Sequence, residues 1–310
     1  MEMRARLLAV AAVSALALAL SEAPAVAASP STTPLPVIYN GIYGYAHVSS
    51  TASPPGANDW SCKPSSAHPN PVILVHGTFG DMSDSWQALS PLLYDNGYCV
   101  FAFNYGSYNG SGTFGVYATG EIAQSASQLS AFVDHVLTAT GASKVDIVGH
   151  SQGGMMPRYY INFDSGDSKV GTLVGLAPSN HGTTLDGLFT LASYFPGASA
   201  FTADCPACQE QEAGSPFLAH LNGSGETRST VNYTVIESRN DEVVMPYTSA
   251  FLAPGPNVTN VLLQRQCPLD QGEHLSMPYD HIADTDVLNA LDPSTQFPTV
   301  CTPVAPVSGG

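Results

Sequence analysis

The sequence predicts a doubly wound α/β domain built on a mostly parallel sheet with a lid-like insertion. Three observations carry this expectation. Short apolar runs such as Val72-Ile73-Leu74-Val75 suit strands covered on both faces. Segments of roughly ten to twenty residues with helical spacing alternate with them, the pattern of a parallel sheet with crossover helices. Gly149-His150-Ser151-Gln152-Gly153 stands between one such strand and one such helix, as a sharp strand-to-helix turn requires.

In chain order, residues 1–28 read as a secretory signal peptide. Arg4 and Arg6 precede the apolar stretch Leu7–Leu20, and Ala25-Val26-Ala27 is a small-residue cleavage pattern. The apolar stretch is shorter than the ~20 residues that a spanning helix needs. Residues 29–70, rich in Pro and Ser, are expected to run extended over the surface. The catalytic domain is expected over 71–302. Its first strand is followed by a helix over Ser83–Leu93, capped by Asp81 or Ser83 and stopped at Asn96-Gly97. Strands follow at Cys99–Phe103, Val145–Val148, Val170–Leu176, Val231–Glu237 and Val258–Leu263. Ile122, Leu129, Phe132, Val133, Val136 and Leu137 mark a long amphipathic helix over Thr119–Thr138, ended by Gly141. Further helices are expected at Gln152–Phe163 and Asp284–Leu291. Residues 180–229 form an insertion too long for a plain connection and are expected to cap the site. Residues 303–310 are expected to be a flexible tail.

Of 310 residues, 11% are charged and the formal net charge is -16. Ordinary domains carry about 25% charged residues. The acidic sign argues against nucleic acid as a partner and against docking on anionic lipid through a basic patch. The even number of cysteines fits an exported, extracellular protein. We expect sequential disulfides, Cys62–Cys99, Cys205–Cys208 and Cys267–Cys301. Cys205-Pro-Ala-Cys208 lacks a second such pair or nearby histidines, so a structural bridge is expected there and no metal.

Ser151 is the expected nucleophile. The glycines two before and two after it are needed because side chains there would strike the neighbouring strand and helix. The backbone N–H of Gln152, at a helix N-terminus, is one expected oxyanion donor. The second should come from Val75-His76-Gly77-Thr78-Phe79-Gly80 after the first strand. Thr78 is the choice and Phe79 the runner-up, with the Thr78 hydroxyl as a further donor and His76 supporting the loop. Acid and base should follow in that order along the chain. Asp241 stands just past the fifth strand, with Glu242 expected to point to solvent; Asp164 and Asp167 lie at the wrong end of the sheet. His274 and His281 both remain as bases, and a loop position soon after the last strand favours His274. His150 is read as part of the turn.

VHGTFG, GHSQGG, NDEVVMP and CPLDQGEHL, in this order, resemble the small secreted bacterial triacylglycerol lipases of the α/β-hydrolase superfamily, in their disulfide-bearing actinobacterial branch. The resemblance runs from about Trp60 to Pro293. It implies an α/β-hydrolase core, a Ser–Asp–His triad and ester hydrolysis without metal or organic cofactor. It carries over Ser151, Asp241 and His274, and places the oxyanion position on Thr78. A short stretch ending in the C-terminal helix follows the base in such lipases, and Leu291 stands at the right distance from His274 rather than His281. The insertion around Cys205 and Cys208 is longer than in lidless members, which leaves interfacial activation open.

The expected substrate is an uncharged ester or lipid, met at a lipid–water interface, by a monomer without an integral membrane span. A short-chain carboxylesterase, a polyester hydrolase and an acyltransferase share the triad. A non-catalytic secreted binding protein of this fold would be expected to have lost one of these groups. Because the base must be neutral, activity should fall below about pH 6.5.

Overall fold

The structure is a computed structural model and describes residues 33–47 and 49–310. The expected signal peptide, 1–28, lies outside the described residues. The elements run α1 (Gly41–His47), β1 (Val72–Val75), α2 (Met82–Ser85), α3 (Leu89–Asp95), β2 (Val100–Ala102) and α4 (Ile122–Thr140). They continue with β3 (Val145–His150), α5 (Gln152–Phe163), β4 (Val170–Leu176), α6 (Leu185–Tyr194), α7 (Pro206–Glu210) and α8 (Pro216–Gly223). The chain closes with β5 (Asn232–Glu237), β6 (Val258–Leu262), α9 (Leu263–Gln266) and α10 (His281–Leu291).

The six strands form one sheet in the order β2-β1-β3-β4-β5-β6. Every pairing is parallel. Alternate residues of each strand serve two cores. Ile73, Phe101 and Ile147 face Leu129, Val133 and Met155 on one side. Leu74, Val148 and Ile236 face Trp86, Leu89 and Val287 on the other. Burial on both faces is why these strands read as continuous apolar runs. The winding reverses between β1 and β3, so the loops leaving their C-terminal ends diverge and open a crevice there.

The expected helix over Ser83–Leu93 is two helices. Pro91 has no N–H for the carbonyl of Gln87, so a continuous helix cannot form. α2 ends at Trp86, which is fully buried, and α3 starts anew after Ala88. Asp81 is the cap of α2, with its carboxylate accepting from Ser83 N and Asp84 N. The final helix starts earlier than expected, at His281, because Asp280 caps it through Ile282 N at 2.8 Å.

The lead-in expected to be extended contains α1. Gly41 and Gly44 let this helix lie against Tyr279: a Cβ on Gly44 would stand 1.8 Å from the Tyr279 hydroxyl. The tail expected to be flexible is docked. Val304 is buried, its carbonyl accepts from Gln271 N at 3.0 Å, and Ser308 O accepts from Gly41 N at 2.8 Å.

The disulfides are Cys62–Cys99, Cys205–Cys208 and Cys267–Cys301. The last closes a loop with a sequence separation of 34, which spans His274. Removing that constraint from the unfolded chain should cost about 3–4 kcal/mol. We expect the Cys267→Ser/Cys301→Ser variant to lose this amount in denaturant titration. The loss should far exceed that for the Cys205–Cys208 pair, whose sequence separation is 3.

Candidate active site

Ser151 sits between β3 and α5 with φ 57° and ψ -123°, a left-handed conformation that a side chain adopts only under constraint. The surroundings supply the constraint. Ser151 N donates to Leu176 O at 2.9 Å, and Gly154 N donates to Ser151 O at 3.0 Å. A Cβ on Gly149 would lie 1.8 Å from Gly153 O, and one on Gly153 would lie 2.1 Å from Val75 O. Both flanking glycines are therefore required by contact distance. Gly77 brings the loop after β1 against the same point, since its Cβ would stand 2.9 Å from Ser151 Cβ.

Thr78, on that loop, is buried, and its hydroxyl oxygen accepts from two amides. Gln152 Nε2 donates at 2.9 Å and Gln211 Nε2 at 2.8 Å. A hydroxyl has two lone pairs and one hydrogen. With both lone pairs taken, its hydrogen is left to donate elsewhere. Among the described residues, neither the Thr78 N–H nor the Gln152 N–H has an acceptor. Phe79 N, the runner-up donor, is already committed to Tyr117 O at 2.9 Å. His76 supports the loop as expected. Its ring stacks on Tyr105, whose hydroxyl donates to His76 O at 2.6 Å. Burial pushes the His76 ring down to about 4, so it stays neutral.

Gln211 is a participant that the sequence reading missed. It follows α7 in the insertion, and its Oε1 accepts from the Ser179 hydroxyl at 2.8 Å. No local pattern could have flagged it, because its partner is distant in sequence. The insertion is fastened by another unforeseen residue. Arg158 of α5 is buried and donates to Asn180 Oδ1 at 3.2 Å and Asn222 Oδ1 at 2.7 Å, one near each end of the 180–229 segment.

Asp241 follows β5 and His274 follows α9. His274 Nδ1–H donates to Asp241 Oδ2 at 2.8 Å, with both side chains wholly buried. Asp241 Oδ1 accepts from Val243 N and Val244 N, each at 2.7 Å, which fixes the carboxylate in place. Two N–H donors and an imidazole fill its acceptor positions on this side. His274 Nε2 is buried and has no partner. His281 is elsewhere: its Nδ1 faces the Gly310 carbonyl and its Nε2 lies 2.9 Å from the Thr302 hydroxyl and 3.0 Å from Val300 O, so it serves the tail. His150 donates from Nε2 to His274 O at 2.9 Å and packs against the His274 ring. Burial, followed by the charge of His274, holds the His150 ring well below the usual histidine range.

Glu242, expected to face solvent, does the opposite. Both its carboxylate oxygens are buried. Burial, and then the charge of Glu273, push its carboxyl up to about 7. Glu273 is held by Leu275 N at 2.7 Å and by Val307 N of the docked tail. Burial works against the charged form of His274, but Asp241, Glu242 and Glu273 together lift it above the ordinary value. A raised base must lose its proton at higher pH before it can accept another. Glu242→Gln removes one lifting charge, so the acid limb of kcat/KM should move to lower pH. A pH–rate series on both proteins checks this, and coincident limbs would contradict it.

Comparison with known proteins follows the same lines. A family model described as Lipase (class 2) matches residues 69–280. The chain is similar to a triacylglycerol lipase of Pseudarthrobacter phenanthrenivorans, 39% identical over 94 residues, which is 29% of this chain and 27% of that protein. It is equally similar to a triacylglycerol lipase of Burkholderia plantarii, 39% identical over 94 residues, 29% of this chain and 24% of that protein. The matched stretch thus spans about a quarter of either relative. Among solved structures, Aspergillus fumigatus lipase B superimposes with a TM-score of 0.58 at 20% identity, over 83% of this chain and 65% of that one. The mature form of Bacillus licheniformis lipase BlEst2 gives 0.55 at 16%, over 74% of this chain and 94% of that one. At such identities the likeness is one of fold, an α/β-hydrolase sheet.

Proposed function

The chain belongs to the lipase (class 2) family, and on that premise we propose that it hydrolyses carboxylic esters of apolar acyl chains, triacylglycerols foremost, outside the cell. The observations that carry this reading are the buried His274–Asp241 pair and a strained Ser151, whose neighbour His150 bonds His274 O.

In the proposed reaction, His274 Nε2 takes the Ser151 proton as the hydroxyl attacks the ester carbonyl. Among the described residues Nε2 has no hydrogen-bond partner, the Ser151 hydroxyl included, so it is unoccupied for that role. Asp241 keeps the proton on Nδ1 and stabilises the imidazolium that forms. The carbonyl oxygen becomes an oxyanion bound by the N–H groups of Thr78 and Gln152 and by the Thr78 hydroxyl. The first turn of α5 adds its dipole. Protonated His274 then returns its proton to the departing alcohol, leaving an acyl-enzyme. Water, deprotonated by the same histidine, releases the acid and restores Ser151. No step calls for a metal or cofactor.

Thr78→Val keeps the shape and the backbone N–H but loses the donating hydroxyl. We expect kcat to fall by roughly 10²-fold with little change in KM. Thr78→Ser should recover most of it. Equal kcat values for Val and Ser variants would remove the hydroxyl from the mechanism.

Apolar substrate is favoured by the surface over the insertion. Leu185, Phe189 and Tyr194 of α6 are exposed, with Met245 from the loop after Asp241. Residues 187–203 carry no charged side chain. Such a patch suits a lipid–water interface. Among the described residues, no helix is long and apolar enough to cross a membrane. Hydrolysis rates over matched esters from acetate to palmitate test the proposal. Preference for the long chains is expected; a steep fall beyond butyrate would assign a short-chain esterase instead.

A further inference from the structure

A groove lies at the sheet edge opposite the loops that carry Ser151 and Thr78. Its main part is a cavity of about 730 Å³ beside the outer strand β6 and helix α10. Asn232, the first residue of β5, and Ala290 also line a second cavity of about 200 Å³. That cavity shares His68, Tyr98 and Asp292 with a third of about 180 Å³, and the third shares Phe297 with the first. The three adjoin one another at these shared lining residues.

Its chemistry is unlike that of the site around Ser151. The main cavity is lined by amides and hydroxyls, with Asp286 as its one ionisable acid. The side chains of Asn232 and Thr259 are exposed and take part in no hydrogen bond. Asn257 uses its Nδ2 on Arg228 O and Val231 O, which leaves its carbonyl oxygen free. Asp286 is 8% exposed; its Oδ1 accepts from Gln266 Nε2 at 3.2 Å, while its Oδ2 is buried without a partner. Two ring surfaces stand along the groove: Phe297, 39% exposed, and His68, packed on Tyr98 with centroids 4.0 Å apart.

A row of neutral amides and hydroxyls offers both donors and acceptors, matching a ligand dense in both. Ring faces accept the C–H faces of pyranose rings. A polyanion would meet Asp286, Asp292 and Asp146, against which His68 is the one lining side chain able to carry positive charge. An apolar chain would bury the amides unsatisfied. We propose that this groove binds a neutral polysaccharide chain, so that the protein is held on a glycan surface while the Ser151 edge faces away. The proposal does not depend on the reaction assigned to Ser151.

The test is native affinity electrophoresis of the Ser151→Ala protein, full chain after export, in gels containing xyloglucan, galactomannan, mixed-linkage β-glucan or hydroxyethylcellulose. Pull-down on insoluble cellulose and chitin accompanies it. At least one of these neutral glycans should retard or retain the protein, and alginate should not. Phe297→Ala and Asn232→Ala should abolish the retention while leaving ester hydrolysis intact in the otherwise wild-type chain, which also reports on folding. Retention by none of these glycans, or retention unchanged in both variants, overturns the proposal. A concentration-dependent dimer that Phe297→Ala dissociates would overturn it as well and assign the groove to a second copy of the chain.

Discussion

Ser151→Ala is expected to lower kcat on a nitrophenyl ester by roughly 10⁵–10⁶-fold, with KM nearly unchanged. The size follows from the arrangement. With the nucleophile gone, neither the His274–Asp241 pair nor the free N–H groups of Thr78 and Gln152 has an attacking atom to serve. What remains is oxyanion binding, which supports slow attack by water. The fold should be untouched, because Ser151 holds its turn through backbone bonds to Leu176 and Gly154, and alanine keeps both. Thermal unfolding of the variant should match the parent. Steady-state rates at matched protein concentration check the prediction.

Asp241→Asn is expected to be the second largest effect, roughly 10⁴-fold in kcat. Asparagine can occupy the same space and keep its carbonyl oxygen on either Val243 N and Val244 N or His274, but not on both. If the oxygen stays with the two backbone donors, its NH₂ faces His274 Nδ1 and forces the proton onto Nε2. The ring is then the wrong tautomer to take the Ser151 proton. The lost charge also removes the main lift on the His274 ring, so the residual activity should show an acid limb at lower pH than the parent. A loss of less than tenfold, taken here as about 1.4 kcal/mol, would remove Asp241 from the proposed chemistry.

Much of this arrangement was legible in the sequence because sterics leave few options. A Cβ on Gly149 or Gly153 would stand only 1.8 or 2.1 Å from a backbone oxygen, so the spacing of these glycines is a direct imprint of the turn. The buried strands announce themselves as apolar runs because both faces are covered. The disulfide pairing follows chain order, each bridge closing its own loop with a sequence separation of 37, 3 or 34. Pro91 is a legible signal against one helix over Ser83–Leu93, because it has no N–H for the Gln87 carbonyl.

Other features rest on contacts between distant segments and leave no local mark. Gln211 braces Thr78 from the insertion. Glu242 is buried close to Glu273, which is itself held by Val307 of the tail. The tail in turn is docked by α1, which Gly41 and Gly44 allow to lie against Val307 and Tyr279. Alternation along the chain cannot reveal which acidic residue will meet which, and short segments such as α1 carry too few residues for a period to appear. His274 and His281 are separated in the same way: the 2.8 Å bond to Asp241 distinguishes them, and that contact spans two elements.

The central claim is that Ser151 is the nucleophile of an ester hydrolase. It is tested most directly by treating the purified protein with a fluorophosphonate and mapping the adduct by peptide mass spectrometry. The account predicts one adduct per chain, on Ser151, with ester hydrolysis lost in proportion to labelling. Hydrolysis that persists in fully treated protein, or a chain that hydrolyses esters while Ser151 stays unlabelled, would contradict it.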